Sequence, residues 1–127
     1  MTHSILLVDD SPHIRRILRS YFEQDPDWRI CGEAENGQVA LHLVKELHPD
    51  IVILDFQMPI MNGLETARRI RQFAPATTIL MLTLHYSPEL VHEAEAAGIR
   101  EVFCKSVDIA NHLLLSLRAV CQTPAVD

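Results

Sequence analysis

Five short apolar runs alternate along the chain with segments in which apolar residues recur every three or four positions. The runs are rich in valine, isoleucine and leucine. Their continuous apolar character indicates strands that are covered on both faces, as in a parallel sheet. The predicted strands are Ile5–Val8, Ile30–Glu33, Ile51–Leu54, Thr78–Leu82 and Val102–Cys104.

The segments that follow these runs are predicted helices, because their apolar residues share one helical face. Strand and helix alternating five times predict an α/β domain, in which helices cover both faces of a parallel sheet. The face-forming residues are Ile14, Ile17, Leu18, Tyr21 and Phe22, then Ala40, Leu43, Val44 and Leu47, then Ala67, Ile70 and Ala74, then Leu90, Val91, Ala94 and Ala97, and finally Ile109, Leu113, Leu117 and Val120.

The 127 residues have the length of one domain. We expect that domain to occupy residues 1–122, and residues 123–127 to form a C-terminal tail or a truncated linker. The net charge of −6 argues against a stand-alone nucleic-acid-binding module. The chain shows no signal-peptide pattern and no apolar run of membrane-spanning length, so we expect a soluble cytoplasmic protein.

The cysteines and the clustered arginines are interpreted as structural residues rather than as functional ones. Cys31, Cys104 and Cys121 share no metal-type spacing, and we interpret them as small core residues of a protein in a reducing compartment. Arginines 15, 16 and 19 form one local cluster, and arginines 68, 69 and 71 form another. Both clusters are interpreted as solvated helix faces.

Polar residues stand at the carboxyl ends of four predicted strands, where ligands bind in sheets of this kind. The pair Asp9 and Asp10 alone would read as the start of a capped helix, with Ser11 as the cap. Parallel crossovers, however, bring all these strand ends to one edge. Three carboxylates there would repel one another unless a cation neutralised them, and oxygen ligands suit Mg²⁺. The strand-end residues are Asp9, Asp10, Asp55, Thr83 and Lys105.

A carboxylate beside a metal, an ammonium and a hydroxyl is an arrangement suited to phosphoryl transfer. The segments "LLVDDSPHIRRIL", "PDIVILDFQMPIMNGLE", "ILMLTLH" and "EAAGIREVFCKS" resemble the receiver domain of two-component response regulators over essentially the whole chain. The resemblance extends to receivers that precede helix-turn-helix output domains. It implies a flavodoxin-like, doubly wound sheet of five parallel strands in the order 2-1-3-4-5, with five helices.

The resemblance also implies a role for each strand-end residue. Asp55 would be the phosphoacceptor, Thr83 the switch hydroxyl and Lys105 the phosphate-pairing cation. The implied Mg²⁺ ligands are Asp9, Asp10, Asp55 and the main-chain carbonyl of Gln57. The phosphoryl group would come from a sensor histidine kinase, a phosphotransfer protein or a small acyl phosphate. The domain would act as a regulator rather than as an enzyme.

Phosphorylation in this family changes contacts on the face formed by the fourth helix, the fifth strand and the fifth helix. We expect self-association or partner binding on that face. We expect Leu115 to contribute to it, because it projects away from the inward positions of the last helix.

Three positions depart from the family pattern. Val102 stands where receivers commonly carry an aromatic switch residue, and Phe103 beside it should face the opposite side of the sheet. Tyr86 is a candidate substitute for that aromatic residue. Ser106 replaces the proline that usually follows the lysine, which disfavours a cis peptide. Leu84 is larger than the usual residue after the switch hydroxyl and is expected to narrow access to the acceptor.

Two other functions stay open at this point. The first is a receiver-like module that binds partners independently of phosphorylation, which the substitutions at Val102 and Leu84 leave open. The second is a Mg²⁺-dependent phosphohydrolase with an aspartyl-phosphate intermediate. That class would place a second carboxylate two residues after the nucleophile, where this chain has Gln57.

Overall fold

A single sheet of five parallel strands is the centre of the computed structural model, which describes residues 2–106 and 108–122, with side chains as far as residue 119. The strands are β1 (His3–Val8), β2 (Trp28–Ala34), β3 (Ile51–Asp55), β4 (Thr78–Thr83) and β5 (Glu101–Cys104). The helices are α1 (Pro12–Phe22), α2 (Gly37–Leu47), α3 (Gly63–Phe73), α4 (Pro88–Ala96) and α5 (Ile109–Gln122). The sheet order β2-β1-β3-β4-β5 confirms the expected doubly wound, flavodoxin-like fold. No helix in the described ranges is long and apolar enough to cross a membrane.

Successive residues of the strands pack alternately into two separate cores, one on each face of the sheet. Leu6, Val52 and Met81 pack with residues of α2, α3 and α4. Their chain neighbours pack with residues of α1 and α5 on the other face. In β5, Val102 belongs to the first core and Phe103 to the second, so the expected opposite orientation of these two side chains is confirmed.

Strand β2 is longer than the apolar run predicted, and it carries an irregularity. Ile5 pairs with Ile30, whereas Leu6 pairs with Gly32, so Cys31 has no partner on β1. This arrangement is a β-bulge, which leaves one residue outside the ladder. Cys31 is accordingly only partly buried, although it still packs against the core.

Side-chain caps fix where the helices begin after the strand ends. Ser11 Oγ accepts a hydrogen bond from the N–H of Ile14, and Asn62 Oδ1 accepts one from the N–H of Glu65. Asn36 and Ser87 cap α2 and α4 in the same way. Each such cap contributes about 1 kcal/mol to helix stability. The caps thereby fix where each loop between strand and helix ends, at the edge of the sheet that carries the acidic residues.

Several side chains lie elsewhere than the sequence predicted. Ile17 and Leu47 were assigned to inward helix faces but are 42% and 40% exposed, because each stands at the border of its apolar stripe. Cys104 is exposed rather than in the core, since it ends the edge strand β5. The predictions for Val120, for Cys121 and for residues 123–127 fall outside the side chains that the structure describes.

Ile60 has a backbone conformation that a β-branched residue rarely adopts, with φ of 75°. The N–H of Met61 donates to the carbonyl of Pro59 across it at 2.8 Å, which makes Ile60 the centre of a strained γ-turn. Its side chain is 70% exposed and has little burial to offset the strain.

Ile60→Gly is therefore expected to stabilise the fold, because glycine adopts positive φ without strain. We expect a gain of up to about 1 kcal/mol after the greater flexibility of unfolded glycine is deducted. Urea unfolding measures the change, and Ile60→Ala, which keeps the Cβ, is the matched control. A glycine variant less stable than the alanine variant would contradict the strain assignment.

Candidate functional site

The ends of β1, β3 and β5 bring three carboxylates and one ammonium together. One carboxylate oxygen from each of Asp9, Asp10 and Asp55 lies within 4.8 Å of the others. Asp9 and Asp55 are buried, whereas Asp10 is exposed to solvent. Lys105 reaches this acidic cluster from the end of β5. The structure thus brings together four of the side chains that the sequence placed at strand ends.

Lys105 bridges the two buried carboxylates. Its Nζ lies 2.9 Å from Asp9 Oδ2 and 3.0 Å from Asp55 Oδ1, and its side chain is only 12% exposed. Burial alone would lower the pKa of Lys105, but its contacts with Asp9 and Asp55 outweigh that effect and raise the pKa. The ammonium therefore stays charged at neutral pH and partly compensates the cluster.

Asp55 is a strongly perturbed acid. Burial raises its pKa to about 6, and the negative charge of Asp9 adds to the increase. The nearby Lys105 offsets part of this increase, while Asp10 contributes to it. One ammonium is therefore insufficient to neutralise the three carboxylates, and the ionised cluster favours a further cation.

Asp9 provides an independent test of whether a metal fits this site. Its Oδ1 accepts a hydrogen bond from the N–H of Ser11 at 2.8 Å. Its Oδ2 is buried, and its partner among the described residues is the ammonium of Lys105 at 2.9 Å, which Asp55 shares. One shared ammonium does not use all the acceptor capacity of these buried carboxylates. Three carboxylates, one of them open to water, suit Mg²⁺, which prefers oxygen ligands and keeps several waters.

Thr83 and Gln57 are the two other residues that the sequence assigned to this site, and Gln57 lies two residues after the end of β3. Thr83 ends β4 with 1% exposure, and its Oγ1 accepts a hydrogen bond from the N–H of His85 at 3.0 Å. The main-chain N–H of Lys105 donates to the carbonyl of Thr83 at 2.8 Å, so a backbone hydrogen bond joins the residue after β5 to the end of β4. Gln57 is exposed and faces the same cleft as Asp10 and Asp55.

A cleft of about 730 Å³ opens beside the cluster, between α1 and the loops that follow β4 and β5. Its polar end holds Asp10, Asp55 and Lys105. Its other walls are mainly apolar and include Ile14, Ile17, Leu82, Leu84 and Ile109. Leu84 is 63% exposed and lines the same cleft as Asp55.

Sequence reasoning missed one residue that contacts the acidic cluster. Arg15 was interpreted as part of a solvated helix face, but its side chain is only 17% exposed. Its Nε donates to Glu33 Oε1 at 2.8 Å, and its Nη1 donates to the main-chain carbonyl of Asp9. The available signal was topological: Arg15 lies in the first turn of the helix after β1, and Glu33 lies near the end of the neighbouring strand β2.

Known proteins share both this sequence pattern and this fold. The family model described as response regulator receiver domain matches residues 5–117. The chain is 39% identical over 98 residues to chemotaxis protein CheY of Halobacterium salinarum, which covers 77% of this chain and 80% of that protein. Several other curated relatives are longer, and the chain spans only 22% to 25% of their length.

Two solved structures show the likeness in three dimensions. The response regulator domain of CheB from Thermotoga maritima superimposes with a TM-score of 0.88 at 27% identity, covering 98% of this chain and 99% of that one. A chain of the CheX-CheY-BeF3-Mg²⁺ complex from Borrelia burgdorferi gives 0.87 at 26% identity, with coverages of 94% and 89%. With a family match over most of its residues and a sheet of the same order, this chain belongs to the response regulator receiver domains of two-component signalling.

Proposed function

We propose that this receiver domain accepts a phosphoryl group on Asp55 in a Mg²⁺-dependent reaction and thereby switches a protein-interaction surface. The donor would be a sensor histidine kinase or a phosphotransfer protein. The observation that carries this proposal is the cluster itself, in which Asp9, Asp10 and Asp55 converge within 4.8 Å and Lys105 lies 3.0 Å from Asp55. The domain is a regulator that catalyses its own phosphorylation and dephosphorylation.

In the proposed reaction, a carboxylate oxygen of Asp55 attacks the phosphorus atom of the donor. An oxygen–phosphorus bond forms, while the bond from phosphorus to the donor's nitrogen or oxygen breaks and the donor retains that electron pair. Lys105 neutralises charge on the phosphoryl oxygens, and the hydroxyl of Thr83 donates a hydrogen bond to one of them. Such fixed charges and donors are the main source of catalysis in phosphoryl transfer.

The proposed metal ligands are Asp9, Asp10, Asp55 and the main-chain carbonyl of Gln57. When bound, Mg²⁺ supplies positive charge that neutralises phosphoryl oxygens in the transition state. The Borrelia burgdorferi complex supports this assignment, because a chain of similar fold occurs there together with BeF3 and Mg²⁺. In this chain, the convergence of three carboxylates on one ammonium and the exposed position of Asp10 are consistent with the same use.

A phosphorylation-independent binding module is the second candidate, and the residue that favours it is Val102. Val102 is packed in the core below α4, and the neighbouring Phe103 faces the opposite core. Neither provides an aromatic group that could move with Thr83. Tyr86, at 55% exposure, is the nearby aromatic residue in the loop. A phosphohydrolase is disfavoured, because Gln57 carries no titratable proton.

The two candidates differ in whether Asp55 reacts at all. We expect the wild-type domain, incubated with a small acyl phosphate, to gain the mass of one phosphoryl group in Mg²⁺ and none in excess chelator. Intact-protein mass spectrometry measures this gain. Equal labelling in both conditions would reject the metal site, and no labelling in either would favour the binding module.

We further propose that the domain works in the cytoplasm, where a kinase would supply the phosphoryl group. Residues 1–122 are proposed as the receiver unit, and residues 123–127 as its tail or a truncated linker. With a net charge of −6, the domain itself is not proposed to bind nucleic acid.

The proposed switch surface is the face formed by α4, β5 and α5, through which two copies would associate. Leu115 on α5 is 61% exposed, whereas Leu113 and Leu117 are fully buried, which confirms the predicted helix phase. A groove beside it is lined by Glu101, Phe103 and His112.

Leu115→Glu is expected to weaken self-association of the phosphorylated domain by about tenfold, because it places a charge in an apolar contact. Sedimentation with and without a phosphoryl mimic measures this effect. Leu47→Glu, at an exposed leucine of α2, is the matched control. Equal association of Leu115→Glu and wild type in both states would place the surface elsewhere.

A further inference from the structure

Arg15 makes two contacts that connect the helix after β1, the end of β2 and the backbone of the acidic cluster. Its Nε donates to Glu33 Oε1 at 2.8 Å, and its Nη1 donates to the main-chain carbonyl of Asp9. The planar, forked guanidinium suits such a double contact, whereas an ammonium does not. With 17% exposure, the side chain is held in place rather than free in solvent.

The carbonyl that Arg15 contacts belongs to the peptide plane between Asp9 and Asp10. The N–H of Asp9 donates to the carbonyl of Ala34 at 3.0 Å, and Asp9 Oδ1 accepts from Ser11 at 2.8 Å. The contact with Ser11 closes a turn that includes this peptide plane, but neither contact involves the Asp9 carbonyl itself. Arg15 holds that carbonyl, and thereby further restrains the direction in which Asp10 leaves the backbone.

Asp10 has particular need of such support. Asp55 lies inside a strand and Asp9 is buried, whereas Asp10 is exposed and forms no ion pair with any described residue. A ligand on an exposed turn is placed only as well as its backbone is held, and Mg²⁺ demands near-ideal octahedral geometry.

We infer that Arg15, held by Glu33, is a positioning residue that orients Asp10 for metal binding. The inference rests on the proposed Mg²⁺ site. Glu33 is suited to holding Arg15: burial alone would raise its pKa, but Arg19 and Arg15 outweigh that effect and lower it. The carboxylate is therefore ionised at neutral pH.

The sign of the expected effect separates positioning from simple electrostatics. Arg15 carries a positive charge near a site for a cation, so removing that charge would by itself strengthen Mg²⁺ binding. If Arg15 positions Asp10, its removal weakens binding instead. Residues that orient metal ligands typically change metal affinity by about 10-fold or more when they are replaced.

Arg19 provides a matched control within the same network. It lies one turn further along α1, and its Nε donates to the other oxygen of Glu33, Oε2, at 2.7 Å. It makes no hydrogen bond to Asp9 among the described residues; its other side-chain partner is Glu23. Replacing Arg19 thus removes the same charge and an ion pair with the same carboxylate, but leaves the contact between Arg15 and the Asp9 carbonyl.

The test measures Mg²⁺ affinity by calorimetry for the wild type and for Arg15→Met, Arg15→Lys and Arg19→Met. We expect both Arg15 variants to bind Mg²⁺ about tenfold more weakly, the lysine variant included because it keeps the charge but loses the fork. Arg19→Met should bind as tightly as the wild type or slightly more tightly. At saturating Mg²⁺, labelling of Asp55 in all variants should approach the wild-type rate.

Each outcome has a distinct meaning. Unchanged or tighter binding by Arg15→Met, in a variant whose circular dichroism shows the native fold, overturns the inference. Equal weakening in Arg15→Met and Arg19→Met also overturns it, because the effect would then belong to the ion-pair network rather than to the Asp9 carbonyl. If the wild type itself binds no Mg²⁺, the proposed function fails instead.

Discussion

Asp55→Asn should leave the domain folded and unable to take up a phosphoryl group from an acyl phosphate. The substitution keeps the size of the side chain but replaces the nucleophilic carboxylate with an amide, whose nitrogen lone pair is delocalised. Asp55 is 3% exposed and ends β3, and among the described carboxylates it is the one that both contacts the Lys105 ammonium and lines the cleft. Covalent catalysis by a carboxylate has no substitute once that group is removed.

Intact-protein mass spectrometry in Mg²⁺ measures the labelling of Asp55→Asn, and peptide mapping of the labelled wild type locates the modified residue. Asp27→Asn is the matched control, because Asp27 is exposed in the turn before β2 and lies outside the cluster. We expect Asp27→Asn to be labelled like the wild type and Asp55→Asn to show only background. Labelling of Asp55→Asn at the wild-type level would remove Asp55 from the role of acceptor.

The strand and helix pattern was predictable because each strand is buried on both faces and therefore reads as a continuous apolar run. All five predicted strands are present, and each predicted end lies within two residues of the observed one. The strand order came from the family resemblance rather than from periodicity, which carries no information on which strands are neighbours. The early start of β2 was missed because its two extra residues are Trp28 and Arg29, and the polar Arg29 interrupts the apolar run.

The acidic cluster was predictable because its members are all at the carboxyl ends of parallel strands, which a right-handed crossover brings to one edge. Features that depend on tertiary contacts were not predictable from the sequence. The exposure of Ile17 and Cys104 depends on where α1 and β5 meet solvent, and the positive φ of Ile60 has no local sequence signal. The partial burial of Arg15 was not predictable either, because it depends on a contact with Glu33 that the sequence around Arg15 does not indicate.

Asp10→Asn is expected to have opposite effects on stability with and without Mg²⁺. In the metal-free domain, Asp10 adds a third negative charge to a cluster that Lys105 only partly neutralises, and its charge contributes to the raised pKa of Asp55. Removing that charge should stabilise the fold by about 1 kcal/mol, or roughly 4 °C in melting temperature. In saturating Mg²⁺ the wild type should gain about 2.7 kcal/mol at a concentration 100-fold above its Kd. The variant should lose most of this gain, because it lacks the solvent-exposed ligand.

The pH dependence of the metal-free wild type follows from the same cluster. Asp55 has a folded pKa of about 6, above the 3.8 that is usual for an aspartate, so the folded state binds the proton more tightly than the unfolded state. This group therefore makes the fold more stable as the pH falls from above 6 towards 4, and less stable as the pH rises through 6. In Asp10→Asn, the increase in stability on acidification should be smaller and should begin at a lower pH. The reason is that the charge of Asp10, one cause of the raised pKa of Asp55, is absent.

Thermal unfolding from pH 7.5 to pH 4.5, in chelator and in Mg²⁺, measures all of these quantities for the wild type, Asp10→Asn and the control Asp27→Asn. Asp27→Asn changes the net charge equally but leaves the cluster intact, so its response to Mg²⁺ should match that of the wild type. If Asp10→Asn is less stable than the wild type in chelator, repulsion within the cluster is not the dominant force on Asp10. If it keeps the full stabilisation by Mg²⁺, Asp10 is not a metal ligand, and the ion is held by Asp9 and Asp55 without it.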